Sequence, residues 1–264
     1  MSTPRLALII CDTPPPSIID VQGEYRQIFT TLFRASLPDG LTAFVLDAYN
    51  AKDKMEYPSD EALGTYDAVV ITGSASSAYE DIPWINKLVS WVADVATTKP
   101  QIKIVGICFG HQIIARALGG SCVPNGGKWE IGVTELDLTD LGRRIFGVER
   151  LNIEQMHRDH VPSVPPTFHL LASSPIAPNQ GMMRFAGAPG ASTPKSGGPL
   201  PPIQIITLQG HPEFTAAIVK ELVDIRTAAG IIDAATAEDA RRRAAWRNDG
   251  VEVIGRAIWE VIRA

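Results

Sequence analysis

Cysteine is scarce. Cys11, Cys108 and Cys122 are the only three in 264 residues, too few and too odd in number for a disulfide framework. No two of them lie within four residues of each other, so no cysteine-based metal cluster is written into the chain. Basic residues are in deficit. The 24 Lys and Arg against 29 Asp and Glu give a net charge of −5, with a pI near 5.6. That balance offers no electrostatic footprint for nucleic acid or an anionic membrane surface. Long apolar runs are also missing. The first, Leu6–Cys11, ends at Asp12 after six residues, which is shorter than a secretory signal core and lacks a small-residue cleavage site. Nothing approaches the roughly 18 apolar residues of a membrane span. These absences predict a soluble, cytoplasmic protein with neither a nucleic-acid nor a membrane partner.

The chain does hold a core, because 45% of its residues are hydrophobic. Leu6–Cys11, Thr42–Leu46, Ala68–Thr72 and Ile102–Ile107 are short, β-branched and bounded by turn residues, as buried strands are. Asp20–Arg34 and Pro83–Thr97 between them carry helical spacing, and Pro83 suits a first helical turn. Strands alternating with helices in this way predict an α/β fold with a parallel sheet covered on both faces. Further strands are expected at Trp129–Asp137, Leu151–Gln155, Phe168–Ser173 and Ile203–Gln209, and a short helix at Thr139–Phe146. Pro189–Pro202 is rich in Pro, Gly and Ser and predicts an exposed surface loop. Thr215–Ala229 and Thr236–Ala264 are expected to be helical. With neither internal repeat nor linker, the expectation is a single domain over 1–264. Its core spans about 6–229, and a helical extension follows at 230–264.

The sharpest local feature is Gly106-Ile107-Cys108-Phe109-Gly110-His111-Gln112, where a strand gives way to a helix capped at its far end by Gly119. It is a G-x-C-x-G arrangement, the cysteine form of the nucleophile elbow. Glycines on both sides allow a sharp turn that leaves the central side chain exposed on strained backbone. The thiol then lies at a helix N-terminus, which favours thiolate, and the Phe109 N–H is placed to bind an oxyanion. A buried cysteine beside a glycine-containing turn is the competing explanation. Cys11 and Cys122 lack this context and are expected to be structural.

A cysteine nucleophile needs a base, and the base needs an orienting group. Gly210-His211-Pro212-Glu213 follows a strand directly, and in an extended segment His211 and Glu213 project to the same side. Pro212 restricts the backbone of the tripeptide. The competing explanation is a turn with Glu213 capping a helix. Among the other histidines, His111 is expected to start a helix, His169 to be structural, and His157 and His160 to line a pocket. The HxxH spacing lacks the helical frame of a zinc motif.

GICFGHQ followed about a hundred residues later by GHPE resembles the class I glutamine amidotransferase family, over roughly Leu6 to Ala229 and in the right order. Ile71-Thr72-Gly73-Ser74 is similar to that family's oxyanion loop. Lys128-Trp129-Glu130-Ile131-Gly132 is similar to its E-x-G strand, and Met156-His157-Arg158-Asp159 to the loop that holds the glutamine backbone. The resemblance implies a three-layer, flavodoxin-like fold with the elbow after a central strand. It implies Cys108 as nucleophile, His211 as base and acid, and Glu213 as orienter. Gly73, Ser74 and Phe109 would form the oxyanion hole, and Gln112, Met156 and His157 would contact substrate. It implies no cofactor and no metal. Two departures stand out. The oxyanion loop reads Gly73-Ser74-Ala75-Ser76-Ser77-Ala78-Tyr79, which leaves the donor open between Gly73 and Ser74. Met156 occupies a position that is often serine, so a hydroxyl contact is lost there while backbone contacts survive.

The same loop, followed by Asp81-Ile82-Pro83-Trp84-Ile85, is similar to stand-alone members, the plant γ-glutamyl peptidases and their fungal and bacterial relatives. The small-molecule substrate implied is glutamine or a γ-glutamyl compound. Three functions follow. One is a glutaminase that passes ammonia to a separate synthetase or biosynthetic enzyme. Another is a free-standing peptidase acting on glutathione-type conjugates. The third is a non-catalytic member used for binding. Arg241-Arg242-Arg243 is expected to be a solvated helix face.

Overall fold

The structure is a computed structural model that describes residues 3–187 and 198–264. Positions 189–197 of the expected surface loop lie outside the described residues. The first part of the chain alternates strands with helices: β1 (Arg5–Ile10), α1 (Pro16–Gln22), α2 (Tyr25–Ala35), β2 (Val45–Asn50), α3 (Asp60–Leu63), β3 (Ala68–Ile71), α4 (Pro83–Thr98), β4 (Lys103–Ile107) and α5 (Phe109–Ala117). A strand-rich part follows: β5 (Val123–Pro124), β6 (Glu130–Leu138), α6 (Asp140–Phe146), β7 (Arg150–His157), β8 (Asp159–His160), β9 (His169–Ser173), β10 (Gly181–Phe185) and β11 (Ile203–Leu208). Then come α7 (Ala216–Ala228), α8 (Ala234–Arg243), a π-helical turn at Gly250–Gly255, and α9 (Arg256–Arg263).

The central sheet has nine strands in the order β2-β1-β3-β4-β11-β10-β9-β6-β7. From β2 to β11 every pairing is parallel, and from β11 to β7 every pairing is antiparallel. Alternation along β1 shows how both faces are used. Leu6 and Leu8 enter the core cluster beneath α2 and α9, while Ala7 and Ile9 enter the cluster beneath α3, α4 and α5. This is the three-layer α/β fold expected from the strand-helix alternation. The parallel strands β1, β3, β4 and β11 all end at one edge, the position where open α/β sheets bind ligands.

Several boundaries differ from the sequence expectations, each for a local reason. The helix expected over Asp20–Arg34 is interrupted, because Gly23 closes α1 at φ 78. The second strand starts later than Thr42–Leu46. As an edge strand it pairs Val45–Asn50 with β1 and tolerates Asn50 and Asp47, which pairs with Arg5 of β1 at 3.1 Å. β10 was not expected; its Met182 and Met183 are fully buried without being typical strand residues. The helix expected over Thr236–Ala264 breaks after Arg243. There the Asp249 N–H donates to the Asn152 carbonyl at 2.8 Å, and the Asp249 carboxylate accepts from the Asn152 N–H at 2.9 Å. Past that tie, α9 inserts Trp259, fully buried, against Phe33, and the indole N–H donates to the Phe33 carbonyl at 3.1 Å.

Candidate active site

The register of β4 against β11 sets Ile107 opposite Leu208, and the Cys108 N–H donates to the Leu208 carbonyl at 2.8 Å. Cys108 therefore leaves the sheet beside the strand that leads to His211. Its backbone has φ 51 and ψ −101, a region non-glycine residues rarely occupy. Close packing holds it there. A Cβ on Gly106 would sit 2.5 Å from the Ile114 Cδ1, and one on Gly110 would run into the Ile71 carbonyl oxygen. The strain is on the cysteine itself, and the two glycines let β3, β4 and α5 close around it. Gly119, at φ 92, ends α5 as expected, with the Gly120 N–H donating to the Ala115 carbonyl at 2.8 Å.

Cys108 occupies the N-cap of α5 without spending its side chain on a capping bond. The first-turn N–H groups of α5, that of Phe109 included, have no intrahelical acceptor. The Phe109 ring faces away, stacked on Trp84 at 5.4 Å. Only its backbone N–H is available to the site.

His211, Glu213 and Phe214 follow β11 in a tight turn in which the Phe214 N–H donates to the His211 carbonyl at 3.3 Å. The segment is thus not extended, yet the side chains meet. His211 Nδ1 lies 2.7 Å from Glu213 Oε1. Because a carboxylate accepts, Nδ1 carries hydrogen and the other ring nitrogen faces the Cys108 thiol, with which His211 hydrogen-bonds. The imidazole stacks on Phe214 at 4.0 Å and 3°. Burial opposes charge on His211, but Glu213 and Cys108 outweigh it and raise the affinity of the imidazole for a proton, which suits a base. The Gln209 side-chain N–H adds a donor 3.6 Å from the Cys108 sulfur.

Gly73, just past β3, lies over this pair. A Cβ there would be 2.8 Å from His211 Cε1 and 3.7 Å from the Cys108 Cβ. No carbonyl or side chain among the described residues accepts from the N–H of Gly73 or Ser74. The Ala75 N–H is occupied, donating to Asp12 Oδ2 at 2.6 Å. Asp12 also accepts from the Ser74 hydroxyl at 3.2 Å and pairs with Lys52 at 2.6 Å. Asp12 is the anchor of this loop and was not expected from sequence. It lies two residues past β1, at the sheet edge where the other site segments converge.

The pocket at Cys108 has a volume of about 150 Å³ and brings Gln112, Met156 and His157 to its wall beside Ser74. The Gln112 amide donates to the Asp159 carbonyl at 3.0 Å and to Gln209 Oε1 at 3.1 Å. His157 lies between two acceptors, the Asp159 carbonyl at Nδ1 and Glu130 Oε2 at Nε2, both at 3.0 Å. Trp129, Arg158 and Arg226 complete the mouth, with the two guanidinium carbons 5.6 and 5.2 Å from the indole centroid. Arg226 carries no sequence signal of its own; the packing of α7 against β7 and α8 places it there. Elsewhere, His111 is buried against the Thr207 hydroxyl at 2.7 Å, and burial pushes it down to about 3. His169 packs on Phe185 at 5.2 Å, away from the pocket. His160 belongs to the small β5-β8 pairing. Cys11 and Cys122 are buried away from the pocket, and burial pushes both thiols up. Among the described residues no group of three or more His, Cys, Asp or Glu could hold a metal ion, and no helix is long and apolar enough to cross a membrane.

The chain and its fold are similar to known proteins. The family described as glutamine amidotransferase class-I matches residues 24–186. A glutamine amidotransferase-like protein of Schizosaccharomyces pombe is 34% identical over 90% of this chain and 91% of its own length. The chain belongs to the class I glutamine amidotransferase family. Within it, gamma-glutamyl peptidase 5 of Arabidopsis thaliana is 29% identical over 83% of this chain and 80% of its own. The crystal structure of a Thermotoga maritima glutamine amidotransferase superposes over 100% of both chains with a TM-score of 0.70 at 19% identity, a likeness of fold.

Proposed function

We propose that the chain hydrolyses the γ-amide of glutamine or of a γ-glutamyl compound through a thioester on Cys108. The observation that carries this is the buried chain of contacts from Glu213 through His211 to a strained thiol at a helix N-terminus. His211 takes the thiol proton, and the sulfur attacks the side-chain carbonyl. The resulting oxyanion is met by the Phe109 N–H and one from Gly73 or Ser74. The tetrahedral centre collapses, the C–N bond breaks, and the proton on His211 leaves with the amine. Water, losing its proton to His211, then attacks the thioester and releases glutamate, and the thiol recovers its proton. Glu213 keeps the imidazole in the required tautomer throughout. Gln112, Met156 and His157 line the substrate side, and the reaction needs neither metal nor cofactor.

The mouth favours a leaving group larger than ammonia. Ser74, Ala75 and Ser76 are small, and Arg158 and Arg226 present cationic groups that suit a carboxylate beyond the scissile amide. This supports a γ-glutamyl peptidase acting on conjugates of the glutathione type. A second reading, ammonia supply to a separate biosynthetic enzyme, draws on Ile231, which is 50% exposed at the rim and available for a partner to cover. The test gives the purified protein L-glutamine and a γ-glutamyl-cysteinyl conjugate separately. Rapid turnover of the conjugate with glutamine nearly inert supports the peptidase. Ammonia from glutamine with the conjugate untouched overturns it in favour of the ammonia donor.

A further inference from the structure

A second cavity lies on the other side of β7 from the core beneath α9. Along β7, Leu151 and Ile153 face that core, while Met156 enters the cluster formed with α7 and α8. Glu154 shares the face of Met156 and is 1% exposed. It contributes to the wall of a cavity of about 460 Å³ bounded by α7, α8 and Gly132 of β6. Apart from Lys220 and Arg241, the other wall residues are small or aliphatic, Ala217, Val219, Val223 and Ala240 among them. Neither carboxylate oxygen of Glu154 has a hydrogen-bonding partner in the protein. The cations nearby are committed elsewhere. Lys220 and Arg241, at the mouth, both pair with Asp224, at 2.8 and 2.6 Å. Arg243 reaches the Ile131 carbonyl at 2.8 Å and Asp239 at 2.7 Å. A buried acid without a partner is costly, so its persistence in a cavity this size calls for a compensating ligand.

We propose that this cavity is a second binding site, for a primary amine with a short apolar body whose ammonium group pairs with Glu154. A primary ammonium has three donors and serves both orphan oxygens at once, while alanine and valine walls accept the hydrocarbon. The site is one backbone hydrogen bond from the base of the candidate active site, since the His211 N–H donates to the Glu154 carbonyl at 2.8 Å. An amine held there is therefore positioned to influence His211, and the binding claim stands whatever substrate the Cys108 site takes.

The test is calorimetric titration of the full chain with 2-phenylethylamine and with its neutral counterpart 2-phenylethanol. The amine should bind saturably and about tenfold or more tightly than the alcohol, reflecting the charge-assisted contact. Glu154→Gln should abolish that preference while leaving alcohol binding unchanged. Ala217→Phe, which fills the cavity from the mouth, should remove both. Equal affinity of the wild type for amine and alcohol, no saturable amine binding, or undiminished amine binding by Glu154→Gln would each overturn the proposal. The wild-type comparison decides the matter even if a variant does not fold.

Discussion

Gly73→Ala probes the site with a single methyl group. The new Cβ would lie 2.8 Å from His211 Cε1, short of the roughly 3.5 Å of ordinary carbon contact. Something must yield by about 0.7 Å. His211 is poorly placed to yield, with Glu213 at 2.7 Å on one nitrogen and the Phe214 ring stacked at 4.0 Å. If the imidazole moves, it leaves the Cys108 thiol; if the loop moves, it withdraws the Gly73 and Ser74 N–H groups. Either loss should lower kcat by about 10²- to 10³-fold, or roughly 3–4 kcal/mol of transition-state stabilisation. The loop lies at the sheet edge, so the melting temperature should fall by only a few degrees. Ser76→Ala, on the same loop, removes a hydroxyl without adding bulk against His211; it is the control and should keep most activity. The assay is steady-state glutamate release with the melting temperature measured in parallel. A Gly73→Ala protein with near-normal kcat would refute the placement of this loop over the Cys-His pair.

Other expectations follow from the same geometry. Cys108→Ala should abolish glutamate release with little change in melting temperature, whereas alanine at Cys11 or Cys122 should preserve turnover; retained activity in Cys108→Ala would contradict the nucleophile. Glu213→Gln should keep more activity than His211→Ala, and the double variant should match His211→Ala alone; a loss equal to the product of the two would indicate independent roles. Gly110→Ala drives a methyl into the Ile71 carbonyl and should destabilise by about 3 kcal/mol or more, read by urea unfolding; a change below about 1 kcal/mol would mean the elbow is loosely packed. Burial holds the Glu154 carboxyl up to about 7 from its ordinary 4.5. The folded protein retains a proton there that the unfolded chain gives up, so this contribution is complete below about pH 4.5 and lost as pH rises to 7. Relative to Glu154→Gln, the wild type should lose on the order of 3 kcal/mol across that window. A stability difference that stays flat with pH would contradict the burial of a titrating group.

The parallel half of the sheet was legible because its strands are buried on both faces and appear as unbroken apolar runs. Edge strand β2 was misplaced because little of it is buried, so it has no apolar run to mark it, and β10 was missed because methionines filled a slot between two strands. The elbow and the His-Pro-Glu turn were legible for a different reason: each packs its chemistry into a few consecutive residues. Asp12 and Arg226 were not, since the contacts that define them join segments far apart in the chain. Asp12 meets Ser74 and Ala75 only because β1 and β3 are neighbours. Glu154 was hidden likewise, because one acid in a strand shows nothing about the partners it lacks.

Whether Cys108 carries the γ-glutamyl group is read out with a chloroketone analogue of glutamine, followed by peptide mass analysis and glutamate release on the same samples. Stoichiometric labelling of Cys108 alone is expected, with activity lost in step and labelling slowed when substrate is present. Labelling at another residue, or turnover that survives complete modification of Cys108, would contradict it.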